Sequence, residues 1–145
     1  DERCKNYRNF STKLRNIYRF IIELKPETIK NKRTTAVGQL KNSDDKQIIE
    51  KLNKTIKSVT KNLERFQLHL ATETLYEFIW HEFADKYIEI SKDRRAETQS
   101  VLEHVLKTSL ELLHPFMPFI TEDLWQKLPH EHEEESIMVS KWPES

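Results

Sequence analysis

The sequence predicts an all-α protein, an antiparallel bundle of four long helices and one short helix. Over several long stretches, apolar residues recur at alternating spacings of three and four, the period of an amphipathic α-helix. The 145 residues include one glycine, whereas sandwiches, barrels and phosphate-binding loops depend on tight turns that glycine supplies. Prolines stand where the periodic patterns stop, as at Pro26, Pro115 and Pro129. The length fits one domain, which we predict to cover residues 1–145.

The first helix is predicted over residues 3–24. One apolar stripe comprises Tyr7, Phe10, Leu14, Ile17, Ile21 and Leu24. Basic side chains fall on nearly the opposite face, namely Lys5, Arg8, Arg15 and Arg19. A third stripe between these two carries Asn9, Lys13, Asn16 and Phe20. Residues 25–43 are polar and basic, and they predict a mobile loop that is either a solvated connection or a flexible basic arm.

Ser43 is predicted to cap the second helix, because Asp44 and Asp45 behind it suit the positive end of a helix dipole. The apolar stripe of this helix comprises Ile49, Leu52, Ile56, Val59, Leu63 and Phe66. The third helix, over residues 68–91, is apolar around most of its circumference, so we expect it to be central.

The fourth helix is predicted over residues 94–113. Thr121, followed by two acidic residues, predicts the start of a short helix that Pro129 ends. Residues 130–135 are expected to form an acidic loop, and residues 137–139 a short strand or extended segment.

Charge is distributed unevenly along the chain although the net charge is zero. Residues 1–70 carry 17 Lys or Arg and 8 Asp or Glu, a net charge of +9, and residues 71–145 carry 7 and 16, a net charge of −9. Such asymmetry indicates either a basic surface for a polyanion or a dipolar bundle whose halves neutralise each other.

The sequence contains no recognisable catalytic or metal-binding constellation. It has no glycine-rich phosphate loop, no nucleophile elbow and no paired His-Glu-x-x-His ligands. His130 and His132 lie at poor ligand spacing in the acidic loop, which favours a solvated loop over a metal site. No stretch of 18 apolar residues occurs, and the single cysteine favours a reducing, cytoplasmic location.

Residues 112–125, Leu-Leu-His-Pro-Phe-Met-Pro-Phe-Ile-Thr-Glu-Asp-Leu-Trp, form a stiff proline-containing corner between two helices. This run resembles a signature of the anticodon-binding domains of class I aminoacyl-tRNA synthetases for valine, isoleucine and leucine, and its His-Pro form is most similar to the valine enzymes. Residues 8–20, 75–92 and 136–143 are similar to the first helix, the third helix and the closing segment of the same domains. The matches follow the family order over nearly the whole chain.

The resemblance implies that the chain recognises a tRNA anticodon, of the valine type, within a ligase that attaches valine to tRNA. The His-x-Gly-His and Lys-Met-Ser-Lys-Ser signatures of such enzymes are absent. We therefore expect a non-catalytic fragment whose catalytic and editing domains lie elsewhere in a larger enzyme, which would use ATP and Mg²⁺; no cofactor is expected in this chain. The chain departs from the family at Thr12, Arg15 and Lys86, where an amide, an aromatic residue and a tryptophan are usual.

RNA loops are recognised by stacking of splayed bases and by polar contacts to their edges. Onto the first helix the resemblance carries base contacts at Asn9, Lys13, Asn16 and Phe20. On the third helix, the candidates are Trp80, Glu82 and Phe83, with Glu82 accepting from the amino group of cytosine and the two rings equally compatible with the core. Phosphate contacts are expected from Arg8, Arg15 and Arg19. The alternatives are an isoleucine or leucine synthetase domain, and a helical protein-interaction bundle without an RNA role.

Overall fold

The structure is a computed structural model that describes residues 2–24, 40–128, 136–137 and 140–144. Helix α1 (Glu2–Tyr18) continues into a π-helical turn (Arg19–Glu23), and α2 covers Ser43–Glu64. Helix α3 (Leu68–Tyr76) continues through a π-helical segment (Glu77–Tyr87) into α4 (Ile88–Ser91). A 3₁₀ turn (Lys92–Arg94) leads to α5 (Arg95–Leu113), and α6 covers Pro118–Lys127. The described residues contain no strand, which confirms the all-α prediction.

Contacts between side chains give the directions of the helices. The start of α2 lies against the end of the π segment, where Tyr87 donates to Asp45, and farther along α2 Lys51 pairs with Glu82. Helix α2 therefore runs antiparallel to α3 and its π continuation. Helix α1 runs in the same direction as α3, because Phe10 packs on Tyr76 and Lys13 pairs with Asp85.

Four rods make up the bundle, namely α1 with its π-helical turn, α2, α3 with its π segment and α4, and α5. Helix α5 runs antiparallel to the α1 rod, because its start lies against the end of that rod. The amide of Gln99 donates to the carbonyl of Ile21 over 2.9 Å. The four rods thus alternate in direction, as predicted. None of the described helices combines the length and the apolar character that crossing a membrane requires.

One core receives side chains from every rod. Fully buried examples are Leu14, Leu52, Phe83, Leu102 and Leu124. Burying a side chain of this size contributes roughly 1.5–3 kcal/mol. The middle of the α1 stripe is buried as predicted, whereas Tyr7 and Leu24 at its two ends are exposed.

Helix α2 is capped one residue earlier than predicted. The side chain of Asn42, rather than Ser43, accepts from the backbone N–H groups of Asp44 at 2.8 Å and Asp45 at 3.4 Å. The prediction was wrong because Ser and Asn are both good caps, and sequence alone does not decide which of two neighbours adopts the extended backbone that a cap needs.

The other end of α2 also differs from the prediction. Phe66 was expected in the apolar stripe, but the helix ends before it and its side chain is 89% exposed. Its φ of 59° lies in the left-handed region. The N–H groups of Phe66 and Gln67 donate to the carbonyls of Leu63 and Asn62, which is a Schellman ending normally occupied by glycine.

Helix α6 begins at Pro118, three residues before the predicted cap at Thr121. Proline suits the first turn because an N–H there lacks a helical partner. The Thr121 hydroxyl instead donates to the carbonyl of Met117 over 2.8 Å and lies 2.9 Å from Nδ1 of His114, inside the proline corner. The predicted loop at 25–43 (apart from residues 40–43), the acidic loop at 130–135 and the extended segment at 138–139 lie outside the described residues.

A buried polar cluster joins α2 to the end of the π segment. Asp45 is 3% exposed, whereas the sequence indicated only a first-turn residue that suits the helix dipole. Its carboxylate accepts from the Tyr87 hydroxyl at 2.7 Å and from both terminal nitrogens of Arg94 at 3.2 and 3.1 Å. Burial, together with the bond to Asp45, raises the pKa of Tyr87, so the hydroxyl stays protonated and remains a donor.

Candidate nucleic-acid interface

The predicted third stripe of α1 lies at the surface of the bundle. Asn9 and Asn16 are exposed, and Lys13 and Phe20 are half-buried. The stripe is rigid because Leu14 and Ile17, on the adjoining face of the same helix, are buried in the core. The structure thus presents two amides, an ammonium group and an aromatic ring along one helical surface.

Lys13 occupies a defined position between the α1 rod and the π segment. Its Nζ lies 3.1 Å from Oδ1 of Asp85 and 5.0 Å from the centroid of the Trp80 ring. The Lys13 side chain is 27% exposed, so the ammonium group is held by its neighbours and still reaches the surface.

Trp80 belongs to a short stack of rings beneath this surface. Its ring lies 5.3 Å from that of Tyr76 and 6.3 Å from that of Phe10, measured between centroids. Trp80 is half-buried: it packs against the core and exposes part of its ring, a position compatible with either of the roles that the sequence left open.

The π segment is what brings Trp80 and Asp85 to the same ammonium group. In an α-helix, residues five apart diverge, because each residue turns the side chain by about 100°. The i→i+5 bonding of a π-helix places residues five apart on the same side. The sequence prediction assumed α-helical winding throughout, and it therefore missed Asp85 as a partner of Lys13.

His81 completes the surroundings of Asp85. Its Nδ1 lies 3.5 Å from Oδ2 of Asp85, and its Nε2 lies 3.7 Å from the carboxylate of Glu77. The histidine ring also meets Tyr76 edge to face, with 6.2 Å between centroids. Asp85 is therefore held from two sides, by Lys13 on α1 and by His81 on its own helical segment.

Glu82 is bound on both of its carboxylate oxygens. Lys51 of α2 donates to Oε2 over 2.5 Å and Lys86 donates to Oε1 over 3.0 Å. The hydrogen bond from Lys51, followed by the bond from Lys86, lowers the pKa of Glu82, so the carboxylate is ionised at neutral pH. A base that approached Glu82 would have to share these oxygens with two lysines.

Phe83 does not reach the surface. It is fully buried, and its ring stacks between those of Phe78 and Tyr87 at centroid distances of 6.5 and 6.4 Å. Of the two roles considered for Phe83, the structure supports a core residue and not a base contact. The π winding explains this orientation too, because Phe78 and Phe83 are five residues apart.

Phe20 lies at the end of the α1 rod and is covered on one side by Arg95. The guanidinium carbon of Arg95 is 4.6 Å from the ring centroid. Arg95 also donates to the carbonyls of Phe20 and Ile21 at 2.8 and 3.1 Å, and to the side-chain oxygen of Gln99. Sequence reasoning missed Arg95, because this contact joins residues 75 positions apart.

The three arginines predicted to contact phosphates are all exposed. Arg15 pairs with Asp123 of α6 at 3.0 Å, and this hydrogen bond lowers the pKa of Asp123. Arg19 lies 3.9 Å from Glu23. Arg15 therefore faces α6, while Lys13 faces the π segment, so α1 carries a different set of groups on each flank.

The described part of the chain has no metal-binding group of three or more His, Cys, Asp or Glu side chains. Lys13, Trp80 and Asp85 form a surface that we call the Lys13 surface. A groove of about 970 Å³ runs beside it, between α2 and α3. Tyr76 lines the groove and also stacks on Trp80 of that surface, while Glu82 lines the groove. Its other charged residues are of both signs, among them Lys54 and Glu73.

The comparison with protein families agrees with this geometry. The model of the anticodon-binding domain of tRNA ligases matches residues 45–145, which is more than half of the chain. The chain therefore belongs to this family, as its proline corner and third helix predicted.

The individual proteins to which the chain is similar are valine–tRNA ligases. It is 44% identical to that of Thermotoga maritima over 95% of the chain, and 43% identical to that of Pseudothermotoga lettingae over 99%. Identity to the enzyme of Carboxydothermus hydrogenoformans is 43% over 98% of the chain. The chain spans only about a sixth of these relatives, 16% to 17% of their length. Because the second match covers 99% of the chain, it includes α1, which lies before the family match.

Proposed function

We propose that this chain recognises the anticodon of valine tRNA as the anticodon-binding part of a valine–tRNA ligase. The observation that carries the proposal is the Lys13 surface, where an ammonium group, a carboxylate and the partly exposed ring of Trp80 meet on rigid helices. Similarity to valine–tRNA ligases supports the choice of tRNA. The remainder of such an enzyme would supply the ATP- and Mg²⁺-dependent chemistry in the cytoplasm.

Two kinds of contact would recognise the anticodon bases. Asn9, Lys13 and Asn16 offer hydrogen-bonding groups to base edges, while Trp80 and Phe20 offer ring surfaces on which splayed bases stack. Valine codons begin with G and U, so valine anticodons share A and C as their second and third bases, and these are the bases to be distinguished.

Arg8, Arg15 and Arg19 are suited to phosphates. Contacts of this kind position an RNA without reading its sequence, and they weaken as salt rises. A complete ligase also holds the acceptor end of the tRNA, and two linked sites gain effective concentration that one site lacks. We therefore expect micromolar or weaker affinity from the isolated chain.

The experiment that tests the proposal is a fluorescence-anisotropy titration of valine tRNA with the chain at low salt. The control is the same tRNA with its second and third anticodon bases exchanged for others, and isoleucine tRNA serves as a second competitor. Tighter binding to the natural anticodon is the expected result. Equal binding to all three RNAs would reduce the surface to an electrostatic one and contradict the proposal.

Lys13→Ala identifies the surface responsible. Loss of a base-edge contact lowers affinity by about 1–3 kcal/mol for the natural anticodon and much less for the exchanged one. Circular dichroism of the variant controls for folding. An unchanged affinity in a folded variant would remove Lys13 from the interface.

A further inference from the structure

The ammonium group of Lys13 and the carboxylate of Asp85 are neighbours at the surface, 3.1 Å apart. We propose that they act together as a donor–acceptor pair that reads a base whose Watson–Crick edge carries an amino group next to an unprotonated ring nitrogen, adenine or cytosine, and that Asp85 keeps phosphates away from Lys13. This inference rests on the proposed function and names the base chemistry that the site accepts.

The chemistry of base edges supports the pair as a reader. On their Watson–Crick edges, adenine and cytosine each present an amino donor next to an unprotonated ring nitrogen, whereas guanine and uracil present a carbonyl next to a ring N–H. Lys13 has only donors and an ionised Asp85 only acceptors. With the base held by stacking, the amino group faces Asp85 and the ring nitrogen faces Lys13. Uracil in the same orientation would place its carbonyl against the carboxylate.

Asp85 is better placed for this role than Glu82. Both oxygens of Glu82 accept from lysines at 2.5 and 3.0 Å. Asp85 accepts from Lys13 on one oxygen, while among the described residues its second oxygen has only the longer 3.5 Å contact to His81. The Asp85 side chain is 47% exposed, so a carboxylate with spare acceptor capacity reaches the surface.

The negative charge of Asp85 accounts for its second effect, which is to keep phosphates away from Lys13. A phosphate that contacted Lys13 would lie within a few ångströms of Asp85, and repulsion by the carboxylate would cancel much of the attraction to the ammonium group. A neutral base edge suffers no such repulsion. A lysine beside a carboxylate therefore favours bases over the phosphates that surround every nucleotide, whereas a lysine alone would favour the phosphates.

Asp85→Asn tests both effects in one side chain of the same size. The amide oxygen would stay on Lys13 and turn the NH₂ group toward the base, where it opposes the amino group. We expect the preference for the natural base over uracil to fall about tenfold at one of the two anticodon positions. The salt dependence should steepen by about 0.7 in the slope of log affinity against log salt, as Lys13 gains a phosphate.

Two further variants separate charge from geometry. Asp123→Asn frees Arg15 on the other flank of α1 in the same way, and it should leave base preference unchanged. Asp85→Glu keeps the charge but moves the acceptor, so it should lower base preference without steepening the salt dependence. The RNAs are anticodon stem-loops of valine tRNA, one with the natural anticodon and others with uracil at a single anticodon position. Melting temperatures establish that every variant is folded.

The outcomes distinguish this inference from the proposed function. If the unchanged chain shows no base preference, the proposed function fails and the inference fails with it. If the unchanged chain prefers the natural bases and Asp85→Asn does so equally, the proposed function stands and the role of Asp85 is refuted. Loss of preference in Asp85→Asn, but not in Asp123→Asn, supports the donor–acceptor pair.

Discussion

Arg95 contacts Phe20 at two places, the face of its ring and its backbone carbonyl. Its guanidinium carbon lies 4.6 Å from the ring centroid, and its Nη2 donates to the carbonyl of the same residue over 2.8 Å. The α1 rod ends in a π-helical turn there, which leaves carbonyls without helical partners. Burial lowers the pKa of Arg95 below its usual range, yet a guanidinium remains charged at any physiological pH.

Replacing Arg95 should separate ring support from helix capping. Arg95→Met removes both the contact with the Phe20 ring and the bonds to the carbonyls, whereas Gln99→Leu keeps Arg95 on the Phe20 ring and removes the bonds of Gln99 to the Ile21 carbonyl, Arg95 and Glu103. Each variant should lose roughly 1–3 kcal/mol of stability in urea denaturation, because Arg95→Met removes the Arg95 donor from the Phe20 carbonyl and Gln99→Leu removes the Gln99 acceptor from the half-buried Arg95 guanidinium. Only Arg95→Met should also weaken stem-loop RNA binding, by about 1 kcal/mol, if Phe20 stacks on a base. Equal RNA affinities of the two variants would show that ring support is irrelevant to binding.

Removing the Asp45 carboxylate should be the most damaging of the changes considered. Asp45→Ala leaves the buried Tyr87 hydroxyl without its acceptor and leaves Arg94, whose side chain is 23% exposed, with Glu97 as its remaining partner. The expected loss is therefore about 3 kcal/mol, the lower end of the range for breaking a buried ion pair. Tyr87→Phe, which keeps the ion pair, should cost less, about 1.5 kcal/mol. Chemical denaturation measures both. A smaller loss for Asp45→Ala than for Tyr87→Phe would contradict the arrangement.

Phe66→Gly should stabilise the protein. Phe66 adopts a φ of 59° with its ring 89% exposed, so its side chain gives little packing in return for the backbone strain. Glycine relieves roughly 1–2 kcal/mol of that strain and returns part of it through the greater entropy of the unfolded chain. We expect a net gain of about 0.5–1 kcal/mol. The adjacent Arg65→Gly, at a φ of −95°, is the matched control and should destabilise.

Stability should depend on Glu82 in acid. Because the two lysines hold the folded-state pKa of Glu82 below its usual value, the ionised carboxylate stabilises the folded protein above the ordinary glutamate pKa of 4.5. This contribution is lost as the pH falls from there through the lowered pKa. The melting temperature of Glu82→Gln should therefore start lower at neutral pH and fall less steeply in acid. Parallel curves for the two proteins would contradict the assignment.

Local patterns predicted the fold well, and contacts between distant residues explain what they missed. The buried residues Phe10, Leu14 and Ile17 of α1 follow an α-helical period that is visible in the sequence. The placement of Trp80 and Asp85 beside Lys13 could not be predicted in this way, because it depends on π winding. No periodicity in residues 77–87 indicated that winding. Phe66 was misassigned because an apolar residue in phase with a helix looks the same whether the helix includes it or stops before it.

The sequence also showed which stripe of α1 lies at the surface, but not which groups meet it. Lys13 was selected from the sequence, and the structure adds Asp85 and His81 around it. Phe20 was selected as well, and the structure adds Arg95. In both cases the added residue comes from another rod of the bundle, so the pairing depends on how the rods pack and not on spacing along one helix.

The π-helical segment ties the composition of the surface to the way the helix winds and not only to the identity of its residues. Trp80 and Asp85 are five positions apart, so ordinary α-helical winding of the same sequence would turn Asp85 about 140° away from Trp80. Deleting one residue between them would favour α-helical winding and would leave the two residues four apart, a spacing that shares one face of an α-helix. A homologue whose alignment shows a one-residue gap at this point is thus expected to keep the pair side by side, on an α-helix instead of a π-helix.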